Sequence, residues 1–197
     1  MLNFQEIPKS KAWDYFILGA RILLAWTFLS YGYSKLTDGQ FGLTEAELLS
    51  PISELSPFRI SWYLFDFQPF KAFIGVSQLI CGTLLVWNRT AVLGAFLFLP
   101  IVATILIIDM TFMPEALAIA FTWRLSYYIL LDFLILAHYK DRMIVIWNAT
   151  VKGINTKFNY PIWVYLTLPV VVIGMEILPF FLRSPIETVV YVVDFLF

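Results

Sequence analysis

The chain has 197 residues, 60% of them hydrophobic and 18% aromatic but only 14% charged, with a mean hydropathy of +0.81. Soluble domains average nearer half apolar and about a quarter charged, so this is the balance of a protein whose solvent is a bilayer. A net charge of −1 without a basic run excludes a nucleic-acid surface, and the single cysteine, Cys81, excludes an intramolecular disulfide or a CxxC redox pair.

No linker, low-complexity tract or internal repeat divides the chain, so a single integral membrane domain is expected over 1–197. Crossing about 30 Å of hydrocarbon takes about 20 apolar residues in a helix. Five runs approach that length: 14–34, 70–87, 91–108, 118–138 and 162–182. The first follows Lys9 and Lys11 and is not promptly followed by a small-residue cleavage site, so it reads as an anchor that stays. The loop 36–69 carries short apolar stretches between Pro51, Pro57 and Pro69, with Trp62, Tyr63 and Phe65, the pattern of segments lying on the surface as a lid.

The second and third runs are parted only by Asn88, Arg89 and Thr90, a tight hairpin of antiparallel helices. Gly75, Gln78 and Gly82 share one face of the second, where small residues let a neighbouring helix approach and the amide bonds across. The fourth run ends at His138, an interfacial histidine with no second histidine to make a metal site. Glu176 precedes Pro179 by three residues, which suggests that the fifth helix ends there. In the tail, 184–197, Ser184, Pro185 and Glu187 have the spacing of a helix start, although the valines beyond would suit a strand equally.

Lysine and arginine set the orientation. With the N-terminus inside, the inner loops hold Lys9, Lys11, Arg89, Lys140, Arg142, Lys152 and Lys157, and the outer ones Lys35, Arg59, Lys71 and Arg183. The N-terminus is therefore expected inside, with 36–69 outside.

Ionisable groups within spans are functional candidates because each costs about 2.5 to 3.5 kcal/mol on insertion scales. Arg21 and Asp132 share a depth toward the inner side, and a bidentate pair would satisfy both. Toward the outer side lie Arg124, Glu176 and Asp109, which gives Arg124 two carboxylates to choose between. Arg21, Phe28 and Lys35 recur every seven residues after Asp14, and Arg124, Tyr128 and Asp132 every four, so each set follows one helix face. The competing reading of Arg21 is a snorkel to the headgroups or a static salt bridge. No Ser/His/Asp set, phosphate loop or metal cluster is present, so no catalytic motif identifies an enzyme.

ARILLAWTFLSYGYSKL resembles the first span of the DoxX-like family, an early arginine followed by apolar and aromatic residues and then a glycine and a lysine, here Arg21, Gly32 and Lys35. The hairpin FIGVSQLICGTLLVWNRTAVLGAFLFLPIVATILI is similar to that family's second and third spans, with Gly75, Gly82 and Gly94 in place and Gln78 where the family often has glutamate. The resemblance implies an all-α, polytopic membrane bundle with a four-helix core, to which the fifth helix is added. It also implies a kinship with membrane subunits of redox complexes, among them part of a thiosulfate:quinone oxidoreductase.

The expected protein is then a multi-pass component of a bacterial inner membrane, with the lipid bilayer as its surroundings. It binds a lipophilic small molecule such as a quinone, or anchors a redox partner protein, as a non-catalytic subunit of an oxidoreductase would. Its polar-core candidates are Arg21, Lys35, Gln78, Asp109, Arg124, Tyr128, Asp132 and Glu176. Two alternatives are a non-enzymatic assembly or structural subunit, as a homo-oligomer or in a complex, and a proton-coupled transporter.

Overall fold

The computed structural model describes residues 9–152 and 159–196, with side chains for 11–152 and 159–179. Among the described residues all regular structure is helical, in the order α1 (Lys9–Leu36), α2 (Glu45–Leu48), a 3-10 turn (Ile52–Glu54), α3 (Pro57–Phe65), α4 (Phe70–Val86), α5 (Ala91–Phe112), α6 (Glu115–His138), α7 (Lys140–Thr150) and α8 (Ile162–Leu196). Four of these are long and apolar enough to cross a membrane, and a fifth span arises if α3 and α4, bent 83° apart, count as one. The chain divides into two compact units, Met1–Trp147 and Asn148–Phe197.

The first unit is a bundle of α1, α4, α5 and α6. Small residues set how closely its helices approach. A side chain at Gly32 would meet the Gly75 carbonyl at 2.8 Å, and one at Gly82 the Ala25 carbonyl at 2.9 Å, so α1 and α4 touch backbone to backbone. Gly94 is pressed against the Leu85 backbone in the same way, which closes the α4–α5 hairpin at its turn. Between these seams Leu24, Leu85, Val102 and Ile135 are fully buried, and the Phe28 and Phe98 rings meet at 4.3 Å in the centre.

Element ends follow local chemistry. Proline disfavours helix at the residue before it, so Met113 and Pro114 end α5 and let α6 begin at Glu115, an acid at the positive end of the helix. Both helices therefore run further than the expected 91–108 and 118–138, and Asp109 sits inside α5 rather than at its rim. Thr44 and Glu47 form a capping box that starts α2, and Ser56 caps α3 ahead of Pro57.

In the second unit α8 is continuous for 35 residues. This corrects two expectations: Glu176 does not mark a helix end, and Ser184 and Pro185 do not start a separate one. Pro169 and Pro179 each remove one N–H, but in the apolar run around them unwinding would leave further backbone groups without partners, which costs more than continuing.

Candidate functional site

Arg21 is buried in α1, and all five of its N–H donors are used. Nε donates to the Leu85 carbonyl (3.1 Å), Nη2 to those of Leu85 (2.9 Å) and Val86 (3.0 Å), and Nη1 to Asn88 Oδ1 (2.8 Å) and the Tyr139 hydroxyl (3.1 Å). These carbonyls belong to the last turn of α4, where the helix has no N–H groups left to offer and the macrodipole is negative. Thr90 Oγ1 donates to the neighbouring Leu84 carbonyl (2.9 Å). Arg21 thus closes a helix end.

The expected Arg21–Asp132 pair is therefore not formed. Asp132 is completely buried in α6, and neither carboxylate oxygen has a hydrogen-bond partner among the described residues. The guanidinium turns instead to backbone carbonyls, which offer more acceptors than one carboxylate and have no other donor.

At the opposite end of the bundle, beneath α3, lies a cavity of about 260 Å³ that all four bundle helices help to line. Four expected residues meet on its walls: Lys35 from α1, Gln78 from α4, Asp109 from α5 and Arg124 from α6. Lys35, Gln78 and Asp109 are 5%, 1% and 4% exposed, whereas Arg124 is exposed.

The two cations share Tyr31, whose ring centroid is 5.5 Å from Lys35 Nζ and 5.8 Å from Arg124 Cζ. Lys35 also faces the Phe41 ring at 5.4 Å and donates to Gln40 Oε1 at 2.8 Å. Arg124 donates from Nε to the Tyr128 hydroxyl (2.7 Å) and from Nη1 to that of Tyr31 (3.1 Å), in place of the carboxylate the sequence suggested. Two of the three Lys35 donors and three of the five on Arg124 thus have no partner among the described residues. Gln78 Oε1 is buried and has no partner among the described residues, so the bond across the helix seam that the sequence suggested for this amide is not seen; the close glycine packing beside it leaves the amide on the cavity wall instead. Arg21, Tyr128 and Asp132 are not on the cavity wall, and Glu176 lies in the second unit.

The sequence suggested the loop as a lid, but not which of its residues reach the site. Gln40, Phe58 and Trp62 line the cavity from above, and the Phe58 and Trp62 rings meet at 4.2 Å, tilted by 40°. Gly42, at φ +98°, donates its N–H to the Trp62 carbonyl (3.1 Å), a left-handed turn that glycine adopts at no steric cost and that folds the loop onto α3. Two clamps hold the lid. Arg59 grips both Glu47 oxygens at 2.6 Å, and Lys71 bonds Asp38 and, at 2.6 Å, Asp66. The Arg59 guanidinium, with the Thr44 backbone and hydroxyl, holds the Glu47 carboxyl down at about 2, and Glu47 in turn raises Arg59.

Helical throughout its described regular structure, with four helices long and apolar enough to cross a membrane, or five if the bent pair counts as one span, the chain has the make-up of a multi-pass membrane protein. No family model matches the chain, and no solved structure matches it. The chain is similar to the uncharacterized protein YwoB of Bacillus subtilis (strain 168), 36% identical over 93 residues, or 47% of this chain; the match spans 59% of that protein's length.

Proposed function

We propose that the protein is a DoxX-like component of a bacterial inner membrane that holds a carbonyl-bearing lipophilic molecule, such as a quinone, in the cavity beneath the lid. With the orientation expected from the loop charges, the lid faces outward. The observation that supports this reading is the set of polar groups on an otherwise aromatic wall: Lys35 and Arg124 carry N–H groups with no hydrogen-bond partner among the described residues, beside Asp109, Gln78, Tyr31 and Trp62. Cavities that fix a ligand are mostly apolar with a few convergent polar groups. Quinone oxygens would accept from the two cations while the ring packs against Tyr31 and Trp62. The Gln78 amide oxygen would accept a hydrogen bond from a hydroxyl of the reduced form.

Arg21 and Asp132 drop out of the proposed site. No residue here supplies redox chemistry of its own, so electron transfer would belong to a partner protein for which this chain is the membrane anchor.

Extracting the protein in native lipid discs and analysing the bound small molecules tests the proposal. Quinone should co-purify, and Lys35→Met with Arg124→Leu should deplete it at least about tenfold, the loss expected when charged hydrogen bonds to a ligand are removed. Asp132→Asn should retain it. Absence of quinone from the wild type, together with no saturable binding of added benzoquinone, would overturn the reading.

A further inference from the structure

The cavity has a neighbour. A second hollow, of about 500 Å³, runs between α4 and α5 and shares Lys35, Gln40, Trp62, Ile105 and Asp109 with the first. The shared residues form the partition between the two. Beyond it the lining is apolar, with Phe65, Phe70 and Phe73 along one side and Leu97, Pro100 and Ile101 along the other. Phe73 is 70% exposed, so the groove opens on the lipid-facing surface.

Its origin lies in how the hairpin packs. Gly94 locks α4 to α5 at the turn, whereas toward the lid the facing residues Ser77, Pro100 and Thr104 are small or ring-closed, and α3 bridges above. From Leu97 to Ile108 the groove follows α5 for about 16 Å at 1.5 Å per residue. It starts at a polar wall and ends deep among apolar side chains.

We infer that the ligand is a chain-bearing amphiphile that enters sideways from the bilayer between α4 and α5, its head in the cavity at Lys35 and Arg124 and its hydrocarbon chain in the groove. The inference rests on the reading of the cavity as a quinone site and adds the ligand's class and route. A free water-soluble quinone would need no groove. A chain anchored in lipid needs one, because its tail must stay apolar while its head reaches the donors. Lys35 stands at the crossing, with its ammonium turned to Gln40 and two aromatic rings rather than fixed in an ion pair.

The test compares two probes on the full chain in lipid discs: a tail-less dimethoxy-methyl-benzoquinone, and the same ring bearing a decyl chain with a terminal diazirine. Ser77 and Thr104 line the groove and not the cavity, so Ser77→Trp and Thr104→Trp each crowd the groove, and Thr104 is exposed, which makes its variant the one expected to keep the fold. In each variant the chained probe should lose about tenfold in affinity, the size of an overpacking clash, while the tail-less probe stays within about twofold. Photo-adducts in the wild type should gather on α4 and α5 around Phe73 and Ile101. Chained binding unchanged by both tryptophans, or adducts scattered over every lipid-facing helix, overturns the groove while leaving the cavity standing. Failure of both probes to bind the wild type removes the cavity reading and the groove with it.

Discussion

A guanidinium inside an apolar helix can reach for headgroups, find a carboxylate, or find backbone, and Arg21 takes the third course. Each charge-assisted bond contributes about 1.5 to 3 kcal/mol, and five of them converge here. Arg21→Leu should therefore cost at least about 3 kcal/mol in an unfolding titration in detergent. Arg21→Lys should recover under half of it, since an ammonium has fewer donors and no fork. In a double-mutant cycle with Asp132→Asn, the coupling should fall within about 0.5 kcal/mol of zero, as for sites with no shared partner. A coupling several times larger would reinstate the ion pair. The sequence marked Arg21 as a residue in need of acceptors. It could not say which ones, because the open carbonyls of a helix end belong to every residue type alike and become visible only when the chain is folded.

Among the elements, the long helices were readable because hydropathy over about 20 residues is a strong signal, and the seam of Gly75, Gln78 and Gly82 was readable because helical period places them together. The lid helices and α7 were not read as helices. They are short, and their caps, such as Thr44 with Glu47, decide them more than any periodicity. Three measurements follow at this scale. Gly94→Leu should lower stability by about 1 to 3 kcal/mol or more, because its new side chain meets the Leu85 backbone, which has nowhere to go. Gly19→Leu should stay within about 0.5 kcal/mol, as nothing lies within 4 Å of it. The lid clamp carries a pH dependence of definite sign. Glu47 is lowered from its ordinary 4.5 to about 2, so its contribution is full above pH 4.5 and is lost as pH falls toward about 2. A carbon-detected NMR titration should place the Glu47 inflection near 2 in the wild type and back toward 4.5 in Arg59→Gln; an inflection near 4.5 in the wild type would mean that the clamp is open in solution.

At the scale of the molecule, the polar candidates separated by end rather than by type. Lys35, Gln78, Asp109 and Arg124 gathered beneath the lid, while Arg21 went to a helix end. Depth along the spans set Arg124 and Asp109 toward one side and Arg21 toward the other, but it did not single out Lys35 and Gln78 as their companions. It gave no sign of Gln40 or Trp62, which reach the cavity only because the loop folds back over the bundle. The α4 helix has a further consequence. With 17 residues it is about 26 Å long at 1.5 Å per residue, short of the roughly 30 Å of an average hydrocarbon layer, and it stops where α3 turns away at 83°. Lipids beside it must shorten to match, and that deformation costs a fraction of a kcal/mol per Å. In bilayers of graded acyl length, the protein should melt at the highest temperature in the thinner ones. With α4 as the crossing segment, the membrane would be dimpled at the mouth of the α4–α5 groove, which would draw the headgroup plane down toward Lys35 and shorten the climb for any molecule leaving the lipid there.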